Sequence, residues 1–205
     1  MGNKQHLEQV YTTKATNSVS WFQEHAEQSL QIIKNTGLDN KAAIIDAGGG
    51  ASTLIDDLLA EGYTNITVLD LSSTALKVAK QRLGKFTDSV NWIEGDVTTV
   101  EFPLHQFDIW HDRAVFQFLT DLADRQAYVK QVMQAVRPGG HVIIATFAED
   151  GPEKCSGLSA MRYAPESLHA EFGNDFLLIE HKKELHQTPF DTKQQFIYCY
   201  CRKAK

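Results

Sequence analysis

The sequence predicts a doubly wound α/β fold, in which helices cover both faces of one mostly parallel sheet. Short apolar runs without polar alternation, such as 42–45, are typical of parallel strands buried on both faces. Amphipathic segments alternate with these runs along most of the chain. The last strand-like runs, 175–185 and 193–202, are joined by a segment too short for a crossover helix, so they should pair antiparallel.

The elements are placed by their apolar spacing and by the residues that end them. A first amphipathic helix is predicted over 18–35, where apolar residues recur at helical spacing until Gly37. The strand at 42–45 stops at the three glycines of 48–50. Further strands are predicted at 66–69, 90–93, 107–110 and 141–147, and further helices at 52–61, 72–84, 122–136 and 165–172.

The length predicts a single domain over 1–205, because one core in a chain of this size can bury roughly 70% of the unfolded surface. Two segments stand apart from the regular alternation. Segment 1–37 precedes the first strand, and the turn-rich segment 148–163 follows the last parallel strand, where loops often carry function.

Composition limits the classes of partner and the compartment. The chain has 26 acidic and 20 basic residues and a net charge of -6, which argues against binding nucleic acid or an anionic membrane through surface charge. No apolar run approaches the roughly 18 residues that span a bilayer, and the polar start does not resemble a signal peptide. Three cysteines without a C-x-x-C pair indicate reduced thiols and no metal site. A cytoplasmic protein is therefore expected.

The strongest chemical signal is the glycine-rich turn that follows the first strand, Asp46-Ala47-Gly48-Gly49-Gly50-Ala51-Ser52. A strand that ends in glycines and continues into a helix presents bare backbone amides to a nucleotide-like ligand. A Walker phosphate loop is excluded because the turn contains no lysine. The dinucleotide fingerprint G-x-G-x-x-G is met by Gly48 and Gly50 but fails at Thr53.

An acid two residues before the first glycine is not part of that fingerprint. With Asp46, Gly48 and Gly50, the chain resembles the class I S-adenosylmethionine-dependent methyltransferases, whose first motif is an apolar strand, an acid and G-x-G-x-G. Ser52 replaces the last glycine of that motif. The resemblance implies a Rossmann-like, seven-stranded sheet in the order 3-2-1-4-5-7-6, mostly parallel with an antiparallel C-terminal strand.

Four aspartates add to the resemblance, because each falls at the carboxyl end of a successive predicted strand, where open α/β sheets bind ligands. They are Asp46, Asp70, Asp96 and Asp112. The resemblance implies that Asp70 accepts hydrogen bonds from the ribose hydroxyls of the methyl donor, and that Asp96 receives its adenine amino group.

The resemblance implies S-adenosylmethionine as the cofactor, with S-adenosylhomocysteine as its product. The residues expected to bind this cofactor are Tyr11, Asp46, Gly48, Gly49, Gly50, Asp70, Leu71, Asp96, Val97 and His111. Segment 1–37, with Tyr11 and a helix that carries Trp21, is expected to cover the donor.

Candidates for the acceptor side come from the same edge of the sheet. They are the catalytic candidates His111, Asp112 and Arg113 and the substrate-side candidates Trp21, Cys155, Arg162 and Tyr163. The histidine could act as a base or orienter, the aspartate could face the donor's ammonium group, and the arginine could hold an anionic substrate. Ordinary hydrogen bonds and salt bridges are alternative roles for all three. Segment 148–163 is expected to form a substrate-side loop.

The expected function is methyl transfer by in-line displacement to an N, O or S nucleophile of a small molecule. A protein-lysine acceptor is the alternative, since 54–72 is similar to the branch with lysine methyltransferases that act on translation elongation factor. A folded donor-binding module without catalysis is an alternative of another class. A nicotinamide oxidoreductase is a third.

Overall fold

The computed structural model of the protein describes residues 2–13 and 16–205. In this part of the chain the α-helices are α1 (Gly2–Thr13), α2 (Glu27–Asn35), α3 (Leu54–Ala60), α4 (Ser73–Leu83), α5 (Leu122–Ala135) and α6 (Pro165–Phe172). The strands are β1 (Ile44–Ala47), β2 (Ile66–Asp70), β3 (Val90–Glu94), β4 (Phe107–Arg113), β5 (Val136–Ala148), the short β6 (Lys154–Cys155), β7 (Leu158–Ser159) and β8 (Arg162–Tyr163), and then β9 (Phe176–Gln187) and β10 (Lys193–Lys203).

The main sheet has the order β3-β2-β1-β4-β5-β10-β9, and the short β8 pairs with β5. Without the short strands, this arrangement confirms the predicted order 3-2-1-4-5-7-6. Strand β10 runs antiparallel to both β5 and β9, whereas the pairs among β1 to β5 are parallel. The predicted antiparallel pairing at the end of the chain is therefore confirmed.

The two faces of the sheet carry separate apolar cores, as a doubly wound fold requires. Every residue of β1 and β2 is buried, which explains their lack of polar alternation. One core packs α2, α3 and α4 against the sheet, and the other packs α5 and α6 against the opposite face. Successive residues of a central strand therefore face different helices.

The helix predicted over 18–35 is shorter than expected, because α2 starts only at Glu27. The preceding residues form an irregular segment, 19–26, which we call the strap. The Asp57 carboxylate of α3 accepts a hydrogen bond from the backbone N–H of Ala26 at 2.8 Å. The Arg113 guanidinium donates to the carbonyl of Trp21 at 3.2 Å. Because side chains of other elements bind this backbone, it does not continue the helix.

The polar N-terminal segment forms α1, which the sequence pattern did not predict. Its position is set by polar contacts. The Glu8 carboxylate accepts hydrogen bonds from the N–H groups of Ser73 and Thr74 at 2.7 and 3.2 Å, at the N-terminus of α4. His6 Nε2 bonds the carbonyl of Ser156 at 2.8 Å. Helix α1 is thus attached to α4 and to the segment after β5.

Candidate functional site

The turn after β1 is shaped by contacts that leave no space for side chains. Gly48 has a φ of 76°, in the region that favours glycine. A Cβ atom on Gly49 would overlap the Asp46 carboxylate, and one on Gly50 would overlap the Asp70 carboxylate and lie 2.8 Å from the Ala75 Cβ. Gly49 and Gly50 therefore keep two carboxylates directly against bare backbone.

Asp70 is buried at the end of β2, with 7% of its surface exposed. Its Oδ1 accepts a hydrogen bond from the N–H of Ser72 at 2.7 Å, which leaves Oδ2 facing Gly50. Burial, together with the neighbouring charge of Asp46, raises the pKa of Asp70 to about 7. A carboxyl group that is costly to ionise in the free protein is suited to a ligand that donates hydrogen bonds to it.

Asp46 takes part in a buried chain of hydrogen bonds. Its Oδ1 lies 2.7 Å from His111 Nδ1, and His111 Nε2 lies 2.9 Å from the Ser29 hydroxyl. The hydroxyl of Ser29 lies 3.2 Å from that of Tyr198, which in turn donates to Glu184 at 3.3 Å. Oδ2 of Asp46 is buried and has no hydrogen-bond partner among the described residues. An unpaired buried oxygen at this position fits a hydrogen-bond donor brought by a ligand.

These contacts change the role expected for His111. Both ring nitrogens are engaged, and only 2% of the residue is exposed. The residue lines a small cavity of about 50 Å³ together with Ser29, Asp46 and Gly48. His111 therefore lies as a buried link between Asp46 and Ser29, and it holds Asp46 in place.

Asp112 does not have the predicted contact with a donor, because its carboxylate is occupied by the protein itself. Strand β4 continues through Arg113, so Asp112 lies inside the strand and faces α5. Oδ1 accepts from the N–H of Val115 at 2.9 Å, and Oδ2 accepts from the N–H of Phe116 at 3.1 Å and from the Tyr128 hydroxyl at 2.6 Å. Burial raises the pKa of Asp112 to about 6. This geometry gives Asp112 a structural role in place of the catalytic one.

The carboxyl ends of β1 to β4 open onto a larger cavity of about 490 Å³. Most of the residues that were predicted for the site share its lining, and these are Tyr11, Trp21, Gly48, Asp70, Leu71, Asp96, Val97, Arg113 and Cys155. Asp96 is exposed, and its Oδ1 accepts from the N–H of Thr98 at 2.9 Å. The structure therefore brings the donor-side candidates of three strands to one cavity.

Helix α1 and the strap cover this cavity. Leu7 and Tyr11 of α1 contribute to the lining, and Tyr11 packs edge-on against Trp21 of the strap at 6.2 Å between ring centroids. His186 Nε2 bonds the carbonyl of Ser20 at 2.8 Å and attaches the strap to β9. Trp21 thus lines the cavity from irregular backbone instead of from the predicted helix.

Two of the substrate-side candidates lie elsewhere. Arg162 is exposed and pairs with Glu153 at 3.1 Å within its own segment. Tyr163 is buried in the core beside Phe116, with ring centroids 5.9 Å apart. Neither residue lines the cavity, because β8 pairs with β5 and carries both away from it. Cys155 remains as the candidate from segment 148–163 that lines the cavity.

Sequence reasoning did not identify Ser29 and Glu8, which organise the site from a distance. Ser29 is on α2 and contacts His111 on β4, whereas Glu8 caps α4 from α1. The sequence around Ser29 and Glu8 contains no motif that predicts either contact. Phe118 of the cavity wall follows the end of β4, and Leu158 lies inside segment 148–163, which the sequence did single out.

The described residues show neither a metal-binding cluster nor a membrane-spanning helix. Within residues 2–13 and 16–205, no three His, Cys, Asp or Glu side chains are grouped so that they could hold a metal ion. In the same part of the chain, every helix is too short or too polar to cross a bilayer. The features that define the candidate site are the cavity and the carboxylates at the ends of the strands.

Comparison with known proteins identifies relatives of this arrangement. Residues 44–140 match a family model described as a methyltransferase domain. The eEF1A lysine and N-terminal methyltransferase of Mus musculus is 24% identical over 143 residues, which make up 69% of this chain and 20% of that protein. The ubiquinone biosynthesis O-methyltransferase of Citrobacter koseri is 28% identical over 109 residues, or 53% of this chain and 43% of that protein. The chain spans about a fifth of the length of the first of these relatives.

A solved structure agrees with the fold. The N-methyltransferase NodS from Bradyrhizobium japonicum, in complex with S-adenosylhomocysteine, is similar with a TM-score of 0.72 and 15% identity. The similarity covers 98% of this chain and 100% of that one. At this identity the likeness shows the fold.

The structural role of Asp112 predicts a specific phenotype for Asp112→Ala. Removal of the carboxylate leaves two buried N–H groups and the Tyr128 hydroxyl without their acceptor, so the free energy of unfolding should fall by about 2–4 kcal/mol. Urea denaturation measures this loss, with the exposed Asp121→Ala as a control that should change little. An Asp112→Ala protein of unchanged stability would contradict the assignment.

Proposed function

We propose that this chain is a class I S-adenosylmethionine-dependent methyltransferase, and that it transfers a methyl group from S-adenosylmethionine to a nucleophilic atom of a small molecule; the match of residues 44–140 to a methyltransferase-domain model supports this. The observation that carries the proposal is the pair of buried carboxylates, Asp46 and Asp70, held against the bare backbone of Gly49 and Gly50. Asp46 lines the small cavity and Asp70 the larger one, and Gly48 lines both. The carbon–sulfur bond of a sulfonium supplies the methyl group and an excellent leaving group.

The residues of the site fit such a donor. Asp70, buried with one oxygen facing Gly50, suits the two hydroxyls of a ribose. Asp96 and Val97 line the same cavity one strand further and suit an adenine. The unpaired Oδ2 of Asp46 suits the ammonium group of the donor's amino-acid end, the role that the sequence pattern gave to Asp112.

The contribution of the protein to the reaction is orientation and exclusion of water. Ser29 and His111 hold Asp46 in one orientation, and Ser72 does the same for Asp70. Helix α1 and the strap form one wall of the cavity and shield the reacting atoms from solvent on that side. Holding the nucleophile near the methyl carbon can lower the barrier by about 7–11 kcal/mol.

A small molecule fits the covered cavity better than a polypeptide does. Glu8 binds helix α1 to α4, and His6 binds it to the segment after β5. Arg113 and His186 bind the backbone of the strap. These contacts fix one wall of the cavity in place, which limits the room for a polypeptide on that side. The lysine methyltransferase activity of the Mus musculus relative belongs to a protein of which this chain matches 20%, so a protein lysine remains the second candidate.

Asp70→Asn is expected to weaken the binding of S-adenosylmethionine by about thirtyfold or more, because an amide loses the charge-assisted hydrogen bonds to the ribose. Isothermal titration calorimetry on the purified protein gives the dissociation constant. The exposed Asp96→Asn is the matched control and should weaken binding less. Equal affinity of the wild type and Asp70→Asn would contradict the donor site.

Donor binding should depend on pH through Asp70. Its pKa is raised to about 7 in the free protein, so Asp70 is mostly protonated below pH 7, whereas ribose hydroxyls bind best to the ionised form. The dissociation constant should therefore fall as pH rises from 5.5 to 7.5, by up to about tenfold per pH unit. Titrations in two buffers of different ionisation enthalpy should show proton release near pH 6. Asp70→Asn should lose this release, and a wild-type affinity independent of pH would contradict the assignment.

Turnover is tested with S-adenosylmethionine labelled on the methyl group. The protein is incubated with fractionated lysate, and label should appear in the small-molecule fraction. Label confined to protein would reverse the order of the two acceptor classes. Donor binding without transfer to any fraction would favour the non-catalytic module over the enzyme. Asp70→Asn is the control for label that does not depend on the donor site.

A further inference from the structure

Arg82 lies near the end of α4, and its guanidinium contacts the segment that joins the glycine turn to α3. Nη1 donates to the carbonyl of Ala51 at 3.0 Å, and Nη2 donates to the carbonyl of Ser52 at 2.6 Å. Among the described residues, no other group donates to these two carbonyls. Ala51 is buried, with 6% of its surface exposed, so its carbonyl needs a partner from the protein. Arg82 supplies that partner.

The guanidinium of Arg82 is itself held in one orientation by α3. Its Nε lies 3.1 Å from both carboxylate oxygens of Asp56, and its Nη2 lies 2.7 Å from Oδ2 of the same residue. A lysine could not make these contacts together, because an ammonium group lacks the planar set of N–H donors that bonds a carboxylate and two carbonyls at once. Arg82 therefore connects α4, α3 and the end of the glycine turn.

Ser52, which stands where the methyltransferase motif has its last glycine, belongs to the same set of contacts. Its N–H donates to the carbonyl of Gly49 at 2.7 Å and closes the turn. Its Oγ accepts from the N–H of Leu54 at 3.1 Å, at the start of α3. Its carbonyl accepts from Arg82. Both the backbone and the side chain of the serine therefore fix the end of the turn.

These contacts lie beside one part of the donor site. Ala51 and Ser52 line the small cavity together with Asp46, and they are not on the described lining of the large one. Asp70 and Asp96, which suit the adenosyl part of the donor, line the large cavity. A displacement of the backbone at 51–52 would therefore disturb the amino-acid end of a donor held at Asp46 and leave the adenosyl part in place.

On the function proposed above, we infer that Arg82 is a positioning residue of the donor site. It acts through the carbonyls of Ala51 and Ser52 and fixes the backbone that forms the wall of the small cavity. The alternative is that Arg82 only stabilises the last turn of α4, where a cation is favourable. The two roles differ in what a lysine can do, because Arg82→Lys keeps the charge at the helix end and loses the joint contacts to the carbonyls.

Two ligands separate the halves of the donor in a binding experiment. S-adenosylhomocysteine contains the amino-acid end, whereas methylthioadenosine contains the adenosyl part without it. Isothermal titration calorimetry gives both dissociation constants, and the wild type should bind S-adenosylhomocysteine more tightly. Arg82→Lys and Arg82→Gln should each weaken S-adenosylhomocysteine by at least about tenfold and methylthioadenosine by less than about twofold, because small displacements of a positioning group are costly only where the ligand touches it.

Lys77→Gln is the matched control, because Lys77 is exposed on the same helix and the substitution removes the same charge. It should leave both dissociation constants within about twofold of the wild type. Asp56→Asn leaves Arg82 in place and removes the charge that orients it, so it should weaken S-adenosylhomocysteine in the same direction and by a smaller factor. Urea denaturation shows which variants are folded.

Several outcomes would overturn the inference. Arg82→Lys with the wild-type affinity for S-adenosylhomocysteine would leave Arg82 a role at the helix end only, and the donor site would stand. Equal weakening of both ligands would show a general effect on the fold, and equal binding of both by the wild type would show that the amino-acid end is not held. If neither Arg82 variant folds, an unchanged affinity in Asp56→Asn contradicts the inference. If the wild type binds neither ligand, the proposed function fails as well.

Discussion

The site depends on the burial of two carboxylates against a turn that has no side chains. Asp70 faces Gly50 and Asp46 faces Gly49, and Oδ2 of Asp46 is buried without a hydrogen-bond partner among the described residues. Burial of this kind costs free energy in the free protein, which is visible in the raised pKa of Asp70. A ligand that donates hydrogen bonds and carries a positive charge recovers that cost. The preference for such a ligand is therefore built into the folded state.

The alternation of side chains along β4 decides which acids serve the ligand. His111 and Asp112 are neighbours, and so they face opposite layers of helices. His111 faces α2 and, with Asp46, belongs to the series of hydrogen bonds that continues through Ser29 and Tyr198 to Glu184. Asp112 turns towards α5 and binds Tyr128. Two adjacent polar residues at the same edge of the sheet thus have separate functions, one for the site and one for the stability of the strand end.

Much of the fold could be predicted because the signals are local. Apolar runs and terminating glycines indicated the strands and helices, and the order of the sheet followed from the family resemblance. Asp46 and Asp70 could be placed because the carboxyl ends of parallel strands meet at one edge. The strap could not be predicted, because its apolar spacing resembles a helix while contacts from Asp57 and Arg113 hold it in another conformation.

The remaining errors have a common physical cause, which is pairing over long distances in sequence. Glu8 and Ser29 act through α4 and β4, and nothing in their neighbourhood along the chain reveals those partners. Tyr163 was expected at a ligand because it lies in a turn-rich segment, yet pairing of β8 with β5 places it in the core. The orientation of a loop residue depends on such pairings.

The central claim is that the glycine turn holds an adenosyl donor between the carboxylates of neighbouring strands. A crystal structure of the protein grown with S-adenosylhomocysteine tests it most directly. We expect density beside residues 48–50, with both ribose hydroxyls on Asp70 and the ammonium group within hydrogen-bond distance of Asp46. Density for the compound at a different place in the protein would contradict it.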